Sequence, residues 1–132
     1  MLSLDLGKEH LMSLPAQYAL VVYRGDSARW QFRLWADAGK TQPVDLTGVV
    51  AASEIRRNLG SAPVVTLTCS IASNVITVSL ASLSSQALPA VAYWDLQLTY
   101  ASGDVQTVVT GTVHVSGDVT ASTAAHTEAT HV

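Results

Sequence analysis

The stretch from residue 92 to residue 116 constrains the fold most, because apolar and polar residues alternate along it in two runs. In residues 94–100 the even positions are apolar or aromatic and the odd positions are mostly polar. In residues 105–115 the odd positions are mostly valine, and Val108 is the one apolar residue at an even position. The two runs are separated by the short polar loop 101–104, which contains a glycine. Period-two alternation on both sides of such a loop predicts an antiparallel β-hairpin with one buried face.

Five further strands are predicted before this hairpin, and each is bounded by turn residues. They cover residues 18–23, 30–35, about 47–56, 63–69 and 75–80. Residues 18–23 are apolar at both parities, which predicts a strand that is covered on both faces.

Residues 81–88 differ, because their leucines recur at helical spacing before Pro89, so we expect a short helix that crosses between sheets. Seven strands separated by turn signals, at intervals of about a dozen residues, are typical of a sandwich. The sequence therefore predicts an all-β fold, an antiparallel β-sandwich of about seven strands of the immunoglobulin-like kind.

The chain has 132 residues, a length that suits one domain. We divide it into an extended N-terminal arm (1–16), a β-sandwich domain (17–116) and a C-terminal tail (117–132) that is poor in large apolar residues. The leucine-rich arm is expected to pack either on its own domain or on a neighbouring subunit, because free leucines favour aggregation. Candidate residues for a subunit or shell interface are Leu2, Leu4, Leu6, Leu11, Trp35, Val119, Thr120 and Val132.

Charge is scarce in this sequence. Only 13% of the residues are charged, about half of the usual share, which favours an oligomer or a large assembly whose subunits cover one another. The net charge of −3, without a basic cluster, argues against nucleic acid as a partner, since phosphate contacts need a cationic face. The sequence has no apolar run of about 18 residues, so no membrane span is predicted. The first residues lack a basic segment followed by an apolar one, so no signal peptide is predicted. We therefore expect the chain to fold in a cytoplasm.

Residues that would indicate catalysis are missing from the sequence. There is no Gly-x-Ser-x-Gly elbow and no evident nucleophile–histidine–carboxylate set. The four histidines lack metal-ligand spacing, and Cys69 is the only cysteine, so no metal, cofactor or internal disulfide is expected. Trp35 has the opposite parity to the apolar Phe32 and Leu34 of its strand. It is either a residue of a second core or an interface anchor, since aromatic anchors are enriched where proteins meet.

Six short motifs occur in a recognisable order along the chain. They are Tyr23-Arg24-Gly25-Asp26-Ser27, Asp45-Leu46-Thr47-Gly48, Glu54-Ile55-Arg56, Tyr93-Trp94-Asp95-Leu96-Gln97, residues 106–113 (QTVVTGTV) and Asp118-Val119-Thr120. In order and spacing this series resembles the N-terminal domain of phage baseplate upper proteins and related small phage virion proteins. The resemblance covers about residues 18–120 and implies a β-sandwich that attaches to a virion and carries no active site.

The resemblance has one departure, at the C-terminal end. In baseplate upper proteins this domain continues into a linker and an adaptor or fibre region, whereas here the chain ends about a dozen residues after the domain, without heptads or repeats. We therefore expect a decorating or cementing subunit that bridges neighbouring shell proteins.

Two classes of function follow as hypotheses. The first is a non-enzymatic bacteriophage virion structural protein, a capsid cement protein that works as a homo-oligomer, with a trimer expected at threefold junctions of a shell. Its main partner would be the major capsid protein; a baseplate or tail-fibre attachment protein is the alternative location. The second is a module that binds host-surface glycan, for which Trp35 and Tyr93 are the candidate aromatic pair.

Overall fold

The structure is a computed structural model that describes residues 2–5 and 15–117, in which there are nine strands and one short helix. In chain order they are β1 (Leu2–Asp5), β2 (Ala16–Gln17), β3 (Leu20–Tyr23), β4 (Ala28–Trp35), β5 (Val50–Arg56), β6 (Pro63–Ala72), β7 (Val75–Leu80), α1 (Ser82–Ser85), β8 (Val91–Thr99) and β9 (Val105–Ser116).

The strands form one mixed sheet that curls into a nearly closed barrel, with the order β1-β4-β7-β6-β5-β8-β9-β2 and β3 also paired with β9. Strand β6 connects the two sides of the barrel, because residues 63–67 pair with β5 and residues 68–72 pair with β7. We call β1, β4, β7 and residues 68–72 the β4 layer. Residues 63–67, together with β5, β8, β9, β2 and β3, are the β8 layer.

The prediction of an all-β fold is confirmed, and β3–β9 correspond to the seven predicted strands with shifted ends. The prediction of an antiparallel, seven-stranded, immunoglobulin-like sandwich is wrong. Strand β1 runs parallel to β4, and both β2 and β3 run parallel to β9. Alternation determines which side chains face inward, but the neighbour of a strand depends on the path of the loops. The turn at residues 24–27 carries the chain from the β8 layer to the β4 layer and does not close a hairpin.

The core lies between the two layers and contains aromatic side chains from both. The ring of Phe32 on β4 lies 5.7 Å from the ring of Trp94 on β8, measured between centroids. Tyr18, between β2 and β3, meets Phe32 edge-on at the same centroid distance. Such ring pairs add to the stabilisation from area burial, so these contacts connect the chain before β3 to both layers.

The predicted hairpin is present as β8 and β9, joined by a turn in which the Gly103 amide donates to the Tyr100 carbonyl. Inward-facing Trp94, Leu96 and Leu98 on β8 agree with the predicted parity. On β9 the predicted parity holds only from Val109 onward. The register shifts opposite Leu96 and Gln97, and Val108 and Val109 are both buried. This β-bulge reverses the alternation before it, so Gln106 is buried and Val105 is exposed.

The predicted helix at 81–88 is shorter in the structure, which has a single helical turn, Ser82–Ser85. It connects β7 of the β4 layer to β8 of the β8 layer, as expected for a crossing segment. The hydroxyl of the buried Ser85 accepts a hydrogen bond from the Gly25 amide, and the Arg24 guanidinium donates to the Leu88 carbonyl. The turn at residues 24–27 is therefore attached to the helical segment.

Candidate interaction surface

An apolar strip lies on the outer face of the β8 layer, next to the edge of the sheet. Val91, His114 and Val21 are consecutive partners across β8, β9 and β3, and Tyr23 follows two residues after Val21 on the same face. Val21 is 63% exposed, Tyr23 60% and Val91 50%. We call Val21, Tyr23 and Val91, together with His114 between them, the β3 strip. Single exposed apolar residues are ordinary, but a contiguous group of them indicates a contact site.

Strand β3 is also an edge strand within the described part of the chain, since its only partner there is β9. The amides of Tyr18 and Arg24 donate to carbonyls of β9, so even-numbered amides of this segment face β9. The odd-numbered amides, among them that of Val21, face the open side. An open strand edge offers backbone donors and acceptors to another chain.

A groove of ≈ 500 Å³ adjoins the β3 strip on the same face. We call it the Tyr93 groove; its walls include Gln17, Ala19, Leu59, Tyr93, Thr110 and Thr112. Tyr93 lies between the buried Ala92 and Trp94 on β8, so its side chain is on the outer face. Leu59, from the loop after β5, is 78% exposed.

The floor of the groove depends on Gly111. A Cβ atom at Gly111 would lie 2.1 Å from the Tyr18 carbonyl oxygen, much closer than a real contact permits. That oxygen accepts a hydrogen bond of 2.8 Å from the indole nitrogen of Trp94. Residues 16–24 can therefore follow β9 closely only because residue 111 has no side chain.

Two carboxylates lie opposite each other on the same outer face, two residues along the strands from Tyr93. Glu54 on β5 pairs with Asp95 on β8, and the Arg56 guanidinium donates to both Glu54 and the Ser61 carbonyl. Partial burial raises the pKa of Asp95, with Glu54 adding to the increase and Arg56 opposing it. This corner of the face therefore holds two carboxylates and one guanidinium, and Arg56, which lies opposite Tyr93, is paired with Glu54.

Trp35 lies on the other side of the molecule, on the outer face of the β4 layer. It is half-buried, and its backbone pairs with Pro43 in an isolated bridge and with Asp5 of β1. Among the described residues, its buried indole nitrogen has no hydrogen-bond partner. Because Tyr93 is on the outer face of the β8 layer, the structure does not bring together the proposed glycan pair Trp35 and Tyr93.

The other candidate interface residues are placed as follows. Leu4 is 5% exposed and packs in the core through β1, so this part of the arm packs on its own domain. Leu2 lies on the same strand, paired with Phe32. Leu6, Leu11, Val119, Thr120 and Val132 lie outside the described residues, as does most of the predicted arm and tail.

The described residues offer few reactive groups. In residues 2–5 and 15–117 there is no group of three or more histidine, cysteine, aspartate or glutamate side chains that could hold a metal ion. Burial raises the pKa of the Cys69 thiol to about 11, so the thiol stays protonated at neutral pH and is a poor nucleophile. His114 Nε2 lies 3.0 Å from the Thr112 hydroxyl. No helix in this part of the chain is long and apolar enough to cross a bilayer.

The exposed residues of the β3 strip were not predicted, although the sequence contains a signal for them. Apolar residues at both parities of 18–23 led us to expect a strand covered on both faces. Leu20 and Val22 are buried, but Val21 and Tyr23 are exposed, so that prediction is wrong for the single chain. An apolar residue at an outward position marks a surface that another molecule covers as readily as it marks a second core.

Comparisons with known proteins do not assign the chain to a family. No protein-family model matches the chain, and no curated protein matches it. One of the solved structures similar to it is the bradyzoite-specific antigen BSR4 of Toxoplasma gondii, at 14% sequence identity and a TM-score of 0.40. The aligned region covers 86% of this chain and 48% of the antigen, so the chain spans about half the length of that protein. A likeness this low carries no argument about function.

Proposed function

We propose that the protein is a non-enzymatic structural protein of a bacteriophage particle, a cement subunit that binds neighbouring shell subunits through the β3 strip. The observation that carries the proposal is the exposed apolar group Val21, Tyr23 and Val91 beside an open strand edge. The ordered motifs that resemble phage virion proteins supply the context of the particle. The scarcity of charge in the chain favours the same setting.

The strip supports binding in two ways. Its side chains offer apolar area, and the open side of β3 offers backbone groups to which a strand of the partner can be added. Burying a valine or a larger apolar side chain completely contributes about 1.5–3 kcal/mol. Because the three side chains are half to two-thirds exposed, burying what remains of them contributes about 3–5 kcal/mol in total.

That contribution favours an oligomer over a single binding copy. Association costs about 4–15 kcal/mol in lost translational and rotational freedom, so one strip alone binds weakly. An oligomer that presents several strips makes each later contact intramolecular and gains avidity. A homo-oligomer, with a trimer as the simplest match to threefold junctions of a shell, is therefore part of the proposal.

The partner decides between two locations on the particle. Binding to the major capsid protein over the whole shell makes the protein a cement, and binding to a baseplate or tail protein makes it an attachment subunit. The surface chemistry is the same in both cases, so the distinction depends on where the protein is found.

The experiment uses phage particles that lack this protein, to which the purified chain is added. The double variant Val21→Ser, Tyr23→Ser removes the strip on β3, and Gln31→Ser, Thr77→Ser is the matched control on the outer face of the β4 layer. We expect the wild type and the control to bind at similar occupancy, and the strip variant to lose most of its binding. Copies per particle are counted by quantitative electrophoresis, and their positions are seen by electron cryomicroscopy.

Each outcome decides a separate part of the proposal. Binding all over the shell supports the cement, whereas binding at one vertex or at the tail supports the alternative location. Equal occupancy of the strip variant and the wild type would remove the β3 strip from the proposal. Absence of any binding by a folded wild-type chain would overturn the virion role. Light scattering of the purified chain tests the oligomer independently.

A further inference from the structure

We propose that the Tyr93 groove is a binding site for a neutral oligosaccharide. The groove has a volume of ≈ 500 Å³, which lies within the range of about 300–1,000 Å³ that is usual for small-molecule sites. This inference does not rest on the virion role, because it concerns a different set of residues on the same face.

The groove combines an aromatic ring with neutral hydrogen-bonding groups. The half-buried Tyr93 supplies a ring against which the apolar face of a sugar can pack, and the exposed Gln17 supplies an amide. The Thr110 hydroxyl donates to the Trp94 carbonyl at 3.2 Å and keeps an oxygen lone pair as an acceptor. A pyranose presents the matching pattern, since it has apolar C–H faces and a rim of hydroxyls.

The charges around the groove select a ligand without charge. The lining contains no lysine, arginine, aspartate or glutamate. Arg56 lies opposite Tyr93 on β5, but it forms an ion pair with Glu54 and donates to the Ser61 carbonyl. Asp95 adjoins this pair, so the surroundings have a net negative charge, which disfavours anionic sugars. A cationic ligand finds no carboxylate in the lining itself. A neutral saccharide is the class that matches all these features.

The groove is also held rigidly, which reduces the entropy lost on binding. The Tyr18 amide donates to the Thr110 carbonyl at 3.0 Å, and the Tyr18 carbonyl accepts from the Trp94 indole. The Thr112 hydroxyl is held by its contact with His114 Nε2. The walls from the segment before β3, from β8 and from β9 are therefore fixed to one another before any ligand binds.

The test is an NMR titration of the full chain with the neutral trisaccharides cellotriose, maltotriose and chitotriose, and with sialyllactose as an anionic comparison. We expect low-millimolar or tighter binding of at least one neutral trisaccharide and much weaker binding of sialyllactose. Tyr93→Ala should weaken that binding by about tenfold or more, because an aromatic anchor is removed. Tyr93→Phe keeps the ring and should retain most of the affinity.

Tyr23→Ala is the matched control, since Tyr23 is an exposed tyrosine of the same layer outside the groove lining. It should leave saccharide binding unchanged, and a one-dimensional spectrum of each variant confirms that it is folded. No binding of any neutral trisaccharide at millimolar concentration would overturn the inference. Equal losses in Tyr93→Ala and Tyr23→Ala would overturn it too, because binding would then not be localised in the groove. Loss of particle binding in the β3 strip variant with intact saccharide binding would separate this site from the proposed virion contact.

Discussion

The outer faces of the two layers differ: the β4 layer has polar side chains that hydrogen-bond to one another, whereas the β8 layer has apolar side chains exposed to solvent. On the β4 layer, the Gln31 amide donates to the Thr77 hydroxyl at 3.3 Å, and the Arg33 guanidinium donates to the Asn74 side-chain oxygen at 3.4 Å. On the β8 layer, Val21, Tyr23 and Val91 present apolar area to solvent. On the first face, beside the half-buried Trp35, polar residues bond across strands. The second exposes area that a partner could bury, and it also contains the Tyr93 groove.

The largest effect is expected from a substitution in the β8 layer, at the point where residues 16–24 pack closely on β9. Gly111→Ala places a methyl group against the Tyr18 carbonyl and disturbs the hydrogen bond from Trp94. Overpacking costs about 1–3 kcal/mol and the weakened hydrogen bond about 1 kcal/mol. We expect the free energy of unfolding, measured by urea denaturation, to fall by about 2–4 kcal/mol.

Gly39→Ala is the control for this substitution. A Cβ atom at Gly39 meets its nearest neighbour, a side-chain oxygen of Asp37, at 3.4 Å. We expect a change within about 0.5 kcal/mol there. Similar losses in both variants would contradict the close approach of Tyr18 to β9.

The next effect tests the β4 layer at its hairpin turn. Asn74 is buried, and its side-chain amide donates to the Leu34 carbonyl at 2.8 Å. Asn74→Ala leaves that carbonyl with only the Val44 amide as donor and also removes the acceptor of Arg33. We expect the free energy of unfolding to fall by about 1–2 kcal/mol. Gln31→Ala removes an exposed bond of the same layer and should change it by less than about 0.5 kcal/mol. If the two variants lose equal stability, the polar network of this layer is not anchored at Asn74.

The sequence predicted the inward faces better than the neighbours and the outer surfaces. Alternation located Trp94, Leu96 and Leu98 on the buried face because burial follows side-chain polarity directly. The bulge at Val108 was not predicted, although Val108 breaks the alternation, because one apolar residue at an outward position does not by itself indicate an extra residue in a strand. The parallel pairing of β3 with β9 also depends on a loop path that no local pattern encodes.

The candidate site was predicted only in part for a related reason. Tyr93 and Trp35 were chosen as aromatic residues at outward positions, and both do point outward. Their placement on opposite layers depends on the order of strands in the sheet, which residue types do not determine. The β3 strip was hidden because the sequence cannot distinguish a doubly covered strand from an exposed one.

A smaller effect tests the electrostatics of the β8 layer. Partial burial raises the pKa of Asp95; Arg56 opposes the increase and Glu54 adds a smaller part to it. The folded protein therefore holds this proton to higher pH than the unfolded chain does. The contribution of Asp95 to stability therefore decreases as the pH rises from the ordinary aspartate pKa through the raised one. Asp95→Asn should be more stable than the wild type at pH 7, by about 0.2–1 kcal/mol, because a partly buried carboxylate no longer has to be ionised, and solvent screens much of that cost.

The pH dependence provides the check on this prediction. Below the ordinary aspartate pKa both states are protonated, so the advantage of Asp95→Asn in urea denaturation should shrink toward zero. Asp26→Asn, at an exposed turn position, is the control for a general change in net charge. An advantage of the same size at acid and neutral pH would show that ionisation of the partly buried Asp95 is not its origin.

The smallest effect compares the hairpin turns of the two layers. The turn between β6 and β7 has Ser73 at φ 57°, whereas the turn between β8 and β9 places Gly103 at φ 94°. A left-handed backbone costs a residue with a side chain about 1–2 kcal/mol, and glycine avoids this cost. Glycine also makes the unfolded chain more flexible, which lowers the free energy of unfolding by about 0.4–1 kcal/mol. Ser73→Gly should therefore raise the free energy of unfolding by only a few tenths of a kcal/mol. Gly103→Ala should change it in the opposite direction, although its Cβ would meet no atom within 4 Å. Loss of stability in Ser73→Gly would mean that the serine side chain itself stabilises the turn of the β4 layer.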